Sequence, residues 1–374
     1  MIDLKRTQYN NVLNKYKLKG GIDLFPFRIL NQEQIQELLD MRTTIGLVEK
    51  AYKLKAEEDA SLFPMVFHEF EPGKADMDIK SGELTGANIF GLKLVSWFGE
   101  NPSKNLPAVV GTVLVLDSRT GAPLGIMSGE YITMMRTGAA GSIGAKYLAR
   151  KDSEHLLLVG SGHLGPYQII ATLMNMENIK KVTVYNALSV EHANDFCTSI
   201  KDKLLSLIAP YKSTDQEFYN QMLNRIDITF EATQDIQQAT EQADIIITAT
   251  PSRAPMIKKE WVKPGTHISC VGADMEGKQE IDENLFADTR VFVDDVGQAI
   301  SVGETEIPYK KGIITKDQIK AEIGSVILNK ENGRVSNEDI TIFDSTGISL
   351  QDLITANYLL EKAAEKEVGL LTTL

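Results

Sequence analysis

One stretch constrains this chain more than any other: four apolar residues that break into closely spaced glycines, His155-Leu-Leu-Leu-Val-Gly160-Ser-Gly162-His-Leu-Gly165. The order is strand, tight turn, helix start. Gly160 permits the sharp turn, and Gly162 leaves bare backbone where a pyrophosphate can approach. Gly165 lets the next helix pack closely on the strand. That helix would aim its unpaired N–H groups and the positive end of its dipole at the phosphates.

The text around the motif extends the pattern. After strand 155–159 come a helix at 164–176, a strand at 182–185 and a helix at 190–207. A polar excursion at 208–224 follows, then a strand at 226–230, a helix at 234–242 and strands at 244–248, 267–271 and 291–293. Strands that alternate with helices argue for a parallel sheet covered on both faces. Before the motif the periods differ. Residues 1–25 form a polar lead-in. Asn31 and Gln34 have capping-box spacing at a helix start, and 44–57 carries one apolar helical face. Strands are expected at 64–70, 89–97, 108–116 and 123–127, separated by turns such as Asn101-Pro102 and Arg119-Thr-Gly121. Residues 131–149 read as a helix rich in small residues, which implies close approach to a sheet or a ligand. A final helix at 349–362 should fold back on the first domain.

The expected class is α/β, a Rossmann-type dinucleotide-binding domain at 144–335 beside an α+β domain built from 1–143 and 336–374. A length of 374 residues suffices for two domains. The net charge of −12 disfavours nucleic acid and anionic membrane as partners. No apolar window approaches the ~18 residues of a membrane span. Cys197 and Cys270 make neither a disulfide framework nor a zinc site, and they fit a reducing cytoplasm. The start, Met1-Ile-Asp-Leu-Lys-Arg, lacks a signal-peptide core.

Further motifs sharpen the reading: Arg136-Thr-Gly-Ala-Ala140, Val271-Gly-Ala-Asp274-Met-Glu-Gly-Lys-Gln-Glu280, Gly91-Leu-Lys93-Leu-Val95, Gly121-Ala-Pro-Leu-Gly125, Lys146-Tyr-Leu-Ala-Arg150 and Phe343-Asp-Ser-Thr-Gly-Ile-Ser-Leu-Gln-Asp352. With the glycine turn, they resemble the ornithine cyclodeaminase/mu-crystallin family over about residues 28–362. The resemblance implies NAD or NADP, a small amino-acid or cyclic-imine substrate, and a homodimer formed through the non-Rossmann domain, which would also bind substrate.

Read alone, Lys93 in its otherwise apolar strand is an edge-strand lysine facing water or a buried one that needs an anionic partner, Arg136 is a surface arginine, and Asp274 is as readily a turn cap as a ligand-binding residue. The resemblance instead makes Lys93 and Asp274 catalytic. It gives Arg136 and Lys93 the substrate carboxylate, for which a guanidinium is a two-pronged match. Asp274 follows a strand's carboxyl end, where α/β sheets bind ligands, and would hold the amine and manage its proton. The cofactor is assigned to Gly160, Gly162, His163, Leu164, Gly165, Thr137, Asn186, Ala249 and Thr250. Asn186 stands where an acid would hold the ribose 2′-hydroxyl. With no acid and no cation there, NAD is favoured and NADP stays open. The family's second basic residue is missing from Phe63-Pro-Met-Val-Phe-His68, and Lys80, with Asp78 adding an acid, is the substitute. His68 reads as a half-buried strand residue. Ser345-Thr-Gly347 resembles a return loop near the site. His155, His192 and His267 are not spaced as metal ligands, so no metal is expected. Ornithine-type cyclisation ranks first. A cyclic-imine reductase or alanine-type dehydrogenase comes second, and a non-catalytic crystallin-like binder last.

Overall fold

The computed structural model describes residues 25–373, so the lead-in at 1–24 lies outside the described residues. The chain divides into two compact units. Of the described residues, one comprises 25–39, 57–133 and 349–373, and the other comprises 40–56 and 134–348. These breaks stand beside the expected 143/144 and 335/336, and the helix Met41–Ala56 goes with the second unit.

The second unit carries the parallel sheet. Its eight strands run in the order Thr229–Thr233, Lys181–Tyr185, His155–Val159, Ile245–Thr248, His267–Cys270, Thr341–Asp344, Arg290–Val293 and Ile319–Glu322. Every neighbouring pair is parallel. Strands covered on both faces need no alternation, and Ile245-Ile-Ile-Thr248 is buried throughout. The chain leaves His155–Val159 toward one side, then returns to build Ile245–Thr248 on the other. That reversal opens a crevice beyond the two strand ends.

The small residues of the helix Glu130–Leu148 are explained within this unit. A Cβ on Gly138 would stand 2.5 Å from the Tyr167 carbonyl oxygen, and one on Gly144 2.5 Å from the Phe343 ring. Close packing on a helix and a sheet, rather than on a ligand, requires them.

A fully buried imidazole lies in the same core. His267 bonds Thr341 Oγ1 and Ser269 Oγ, both at 2.9 Å. Burial, with Arg334 nearby, depresses its pKa to about 3. The unfolded chain takes up this proton near pH 6.5, so His267 contributes stability above that pH and loses it as pH falls toward 3. In an NMR titration the His267 ring should show no protonation shift between pH 8 and about 4. A midpoint near 6 would contradict this placement.

The first unit holds a mostly antiparallel eight-stranded sheet. Its path is Leu370–Thr373, Pro26–Leu30, Pro123–Ser128, Val109–Asp117, Ile89–Phe98, Ala75–Leu84 and Ala60–Leu62, with Val66–Glu71 also on Ala75–Leu84. The helix Ser349–Glu365 lies on one face. Positions Gly82, Gly91 and Gly125 leave room for Leu350, Leu353 and Leu360.

Several expectations need correction. The excursion at 208–224 is helical, as Tyr211–Thr214 and Gln216–Ile226. Tyr211 is buried and donates to Asp40 Oδ1 at 2.7 Å, which pins the insertion. The strand expected at 226–230 is Thr229–Thr233, because the helix runs on to Ile226 with Met222 and Ile226 inward. His68 is exposed rather than half-buried, in a strand whose six residues all face solvent. Ala75–Leu84 was not foreseen, since Asp76, Asp78, Lys80 and Glu83 hide its β character.

Candidate functional site

The glycine turn sits at the strand crossover. Gly160 has φ +112, and a Cβ there would stand 2.7 Å from the Ala249 carbonyl oxygen. Its N–H donates to Tyr185 O at 2.9 Å, and the Ala249 N–H donates to Val159 O at 2.9 Å. The turn is thus tied to the strands on either side. Nothing lies within 4 Å of a Cβ built on Gly162. Gly162 and His163 are exposed. The helix Gly165–Asn175 begins at Leu164 with no side-chain cap, and the positive end of its dipole at this turn suits an anion. A dinucleotide pyrophosphate fits this cradle. Gly160→Ala should weaken NADH binding at least about tenfold, from left-handed strain plus the Ala249 clash. Fluorescence titration of NADH measures this, and unchanged affinity would contradict the assignment.

Asn186 ends the adjoining strand. Its Nδ2 donates to Ser161 Oγ at 2.7 Å, and its Oδ1 accepts from Leu188 N at 2.9 Å. It therefore braces the glycine turn. Thr137 is buried, and its carbonyl accepts from Gln168 Nε2 at 2.9 Å, which links its helix to the helix after the turn.

Beyond the next strands lie Thr250 and Asp274, and a fully buried Glu280 joins their loops. Glu280 Oε1 accepts from Thr250 N at 2.7 Å and Thr250 Oγ1 at 2.8 Å. Its Oε2 accepts from Thr248 Oγ1 at 2.8 Å and Gly272 N at 3.1 Å. Burial lifts the Glu280 carboxyl to about 7 against the pull of these donors, and burial with Glu280 alongside pushes Glu304 well above the usual carboxyl range. Asp274 is half-buried, with Oδ1 2.5 Å from Lys278 Nζ. Its carboxylate already holds an ammonium.

Asp294 organises the return loop. It accepts from Ser345 Oγ at 3.2 Å, Thr346 Oγ1 at 2.9 Å and Gly347 N at 2.8 Å. Gly347 has φ +77, and a Cβ there would stand 2.4 Å from Arg136 Nη1. The loop therefore packs on the guanidinium of Arg136, which is 6% exposed. Arg136 is no surface residue.

In the first unit Lys93 is 2% exposed, in a strand that lies between Ala75–Leu84 and Val109–Asp117 rather than at the sheet's edge. Its Nζ lies 3.0 Å from Asp352 Oδ1 and 3.3 Å from Thr133 Oγ1. A buried lysine needs an anionic partner, and Asp352 is that partner. Lys80 is also buried and stands directly opposite Lys93 in the antiparallel register, so two cations share one face. Asp78 lies two residues along the same strand face.

The second unit brings together the cofactor candidates Gly160, Gly162, His163, Leu164, Gly165, Asn186, Ala249 and Thr250, and it also holds Thr137, Arg136 and Asp274. Lys93 and Lys80 pair within the first. Sequence reasoning missed the four interior acids Asp352, Glu280, Asp294 and Glu304. Asp352 carried a signal, an acid inside the apolar stripe of its helix, whereas Glu280, Asp294 and Glu304 stand among other charged residues and carried none. Among the described residues no cluster of His, Cys, Asp or Glu is arranged for a metal, and no helix is long and apolar enough to cross a membrane.

The family model for ornithine cyclodeaminase/mu-crystallin matches residues 27–210 and 203–367. The chain belongs to the ornithine cyclodeaminase/mu-crystallin family. Among relatives in that family, alanine dehydrogenase of Archaeoglobus fulgidus is 37% identical over 341 residues, 91% of this chain and 96% of that one. The Thermococcus litoralis Delta(1)-pyrroline-2-carboxylate reductase, solved with NADH and L-proline, superposes with a TM-score of 0.81 at 31% identity, covering 92% of this chain and 99% of its own. A lysine cyclodeaminase structure gives a TM-score of 0.77 at 24% identity, with 93% and 95% covered, which is likeness of fold alone.

Proposed function

We propose that this family member is an NAD-dependent oxidoreductase that interconverts an α-amino acid and its imino acid in one redox step. The observation that carries the reading is Asp274, a carboxylate at the end of a parallel strand, already paired with an ammonium and tied through Glu280 to the loop of Thr250. Relatives at 31% and 37% identity are named for one-step chemistry, a cyclic-imine reduction and an alanine oxidation. Ornithine cyclisation, ranked first on sequence, yields to that reading, because the cyclodeaminase likeness is one of fold.

The residues divide the work. The Arg136 guanidinium, backed by the return loop, grips the substrate carboxylate in two-pronged fashion. Lys93, oriented by Asp352 and Thr133, adds a second cation, and Lys80 reinforces the positive face. Asp274 binds the amino group and takes its proton as the amine becomes an imine, then returns it in the reductive direction. Anchoring both ends of the substrate fixes where the Cα–H bond points. NAD, when bound at the glycine turn, exchanges hydride with that carbon. The loop at 186–192 offers a 2′-phosphate no lysine or arginine, which favours NAD over NADP.

The test offers NAD with L-alanine, L-proline or ornithine, and NADH with a cyclic imine or with pyruvate plus ammonia. Steady NADH formation from an amino acid, or its consumption by an imine, supports the reading. Ammonia release from ornithine without net NADH would return the assignment to cyclisation. Tight NADH binding with no turnover would favour the non-catalytic binder.

A homodimer formed through the first unit is part of the proposal. Strand Val66–Glu71 exposes Val66, Phe67 and Phe70, and Phe70 stacks on the exposed Phe98 at 5.7 Å. Exposed apolar patches of this kind mark interfaces. Phe70→Asp should shift sedimentation from dimer to monomer, and an unchanged dimer would remove this face from consideration. The two cysteines fit a cytoplasmic setting. Burial raises the Cys197 thiol to about 11 and Cys270 well above its usual value, so neither is a ready nucleophile.

A further inference from the structure

We infer that Glu280 is a positioning residue that holds the cofactor-facing loop of Thr250 and the loop of Asp274 in mutual register. The inference rests on the oxidoreductase reading for what those loops do, and on geometry alone for the bridge itself.

One carboxylate serves two segments that are far apart in the chain. Oε1 takes both donors of Thr250, and Oε2 takes Gly272 N and Thr248 Oγ1. Thr248 closes its strand, and Gly272 stands two residues before Asp274. No solvent reaches Glu280, so nothing else can satisfy those donors if it is lost. Glu280 is itself held in place. Its N–H and that of Ile281 each donate to Glu304 Oε1 at 2.8 Å. Next to Glu304, the N–H of Thr305 donates to the buried Asp344 Oδ2 at 2.8 Å. The chain of support runs from the end of strand Thr341–Asp344 through Glu304 to the Glu280 carboxylate and on to the two loops.

The geometry separates the effects of two substitutions. In Glu280→Gln the amide must put its NH2 where one oxygen now accepts a backbone N–H. The bond to Thr250 N is 2.7 Å and that to Gly272 N is 3.1 Å, so the amide keeps its oxygen on Thr250 and opposes Gly272. The Asp274 loop then slips while the Thr250 loop stays. Glu280→Ala releases both loops.

The experiment measures the NADH dissociation constant by fluorescence, kcat per NADH-binding site, and the thermal midpoint for each variant. Glu280→Gln should keep NADH affinity within about threefold and lose about a hundredfold in kcat, the scale of a misplacement near 1 Å. Glu280→Ala should also weaken NADH about tenfold. A folded Glu280→Gln with kcat within twofold of the parent overturns the proposal, and so does a folded Glu280→Ala with parental NADH affinity. If both variants fail to fold, Thr248 decides. It is fully buried and supplies one of the four donors. Thr248→Val should then lower kcat, with Thr248→Ser restoring it. Parental kcat in Thr248→Val would overturn the bridge. If the parent turns over no amino or imino acid, the oxidoreductase reading fails. NADH affinity in Glu280→Ala, or in the Thr248 pair should that variant not fold, still decides the role of Glu280.

Discussion

Asp274→Asn leaves NADH affinity within about twofold and lowers kcat by about three orders of magnitude, mid-range for losing a general acid–base group. Asparagine keeps the size of the side chain and one acceptor oxygen. It loses the charge that binds an ammonium and the site that takes its proton. The glycine turn is tied to Tyr185 and Val159, and Glu280 to Thr248, Thr250 and Gly272, so the cofactor cradle should keep its form. Asp274 is 42% exposed and its Lys278 partner 15%, so the change is also mild for folding. Steady-state kinetics beside NADH titration reads the two effects separately. A variant that keeps its parent's rate would show that Asp274 only steadies Lys278.

Lys93→Ala is expected to fail twice, once in stability and once in turnover. It leaves the Asp352 carboxylate, 1% exposed, without the ammonium at 3.0 Å. Breaking a buried pair from one side costs about 3–5 kcal/mol. The double variant Lys93→Met/Asp352→Asn removes both charges and should recover most of the thermal midpoint. It should not recover turnover, because the carboxylate anchor is still missing. If the double variant regains activity along with stability, Lys93 serves only to neutralise Asp352.

Much of this was legible in the text because the relevant signals are local. A strand that ends in Gly160-Ser-Gly162 announces itself by periodicity and backbone freedom together, and the βα alternation after it follows from runs such as Ile245-Ile-Ile-Thr248. The elements that went unread owe their form to distant partners. Ala75–Leu84 is a strand because Ile89–Phe98 pairs with one edge of it and Ala60–Leu62 and Val66–Glu71 with the other, and its Lys80 is buried opposite Lys93. The helices at 211–226 are fixed by Tyr211 on Asp40, 171 residues away. The interior acids were hidden for the same reason. Glu280 looks like one more charged residue after a turn, until folding brings Thr248, Thr250 and Gly272 to its two oxygens. Lys93 is the one charge in the run Ile89-Phe-Gly-Leu-Lys-Leu-Val-Ser-Trp97, but Asp352 could be named as its partner only in the folded chain.

The central claim is that hydride passes between the α-carbon of an amino acid and NAD held at the glycine turn. The measurement is the fate of deuterium at C2 of L-alanine or L-proline, followed by NMR of the NADH formed. The account predicts deuterium at C4 of the nicotinamide in stoichiometric amount. Deuterium recovered only in water, or no labelled NADH from either amino acid, would contradict it.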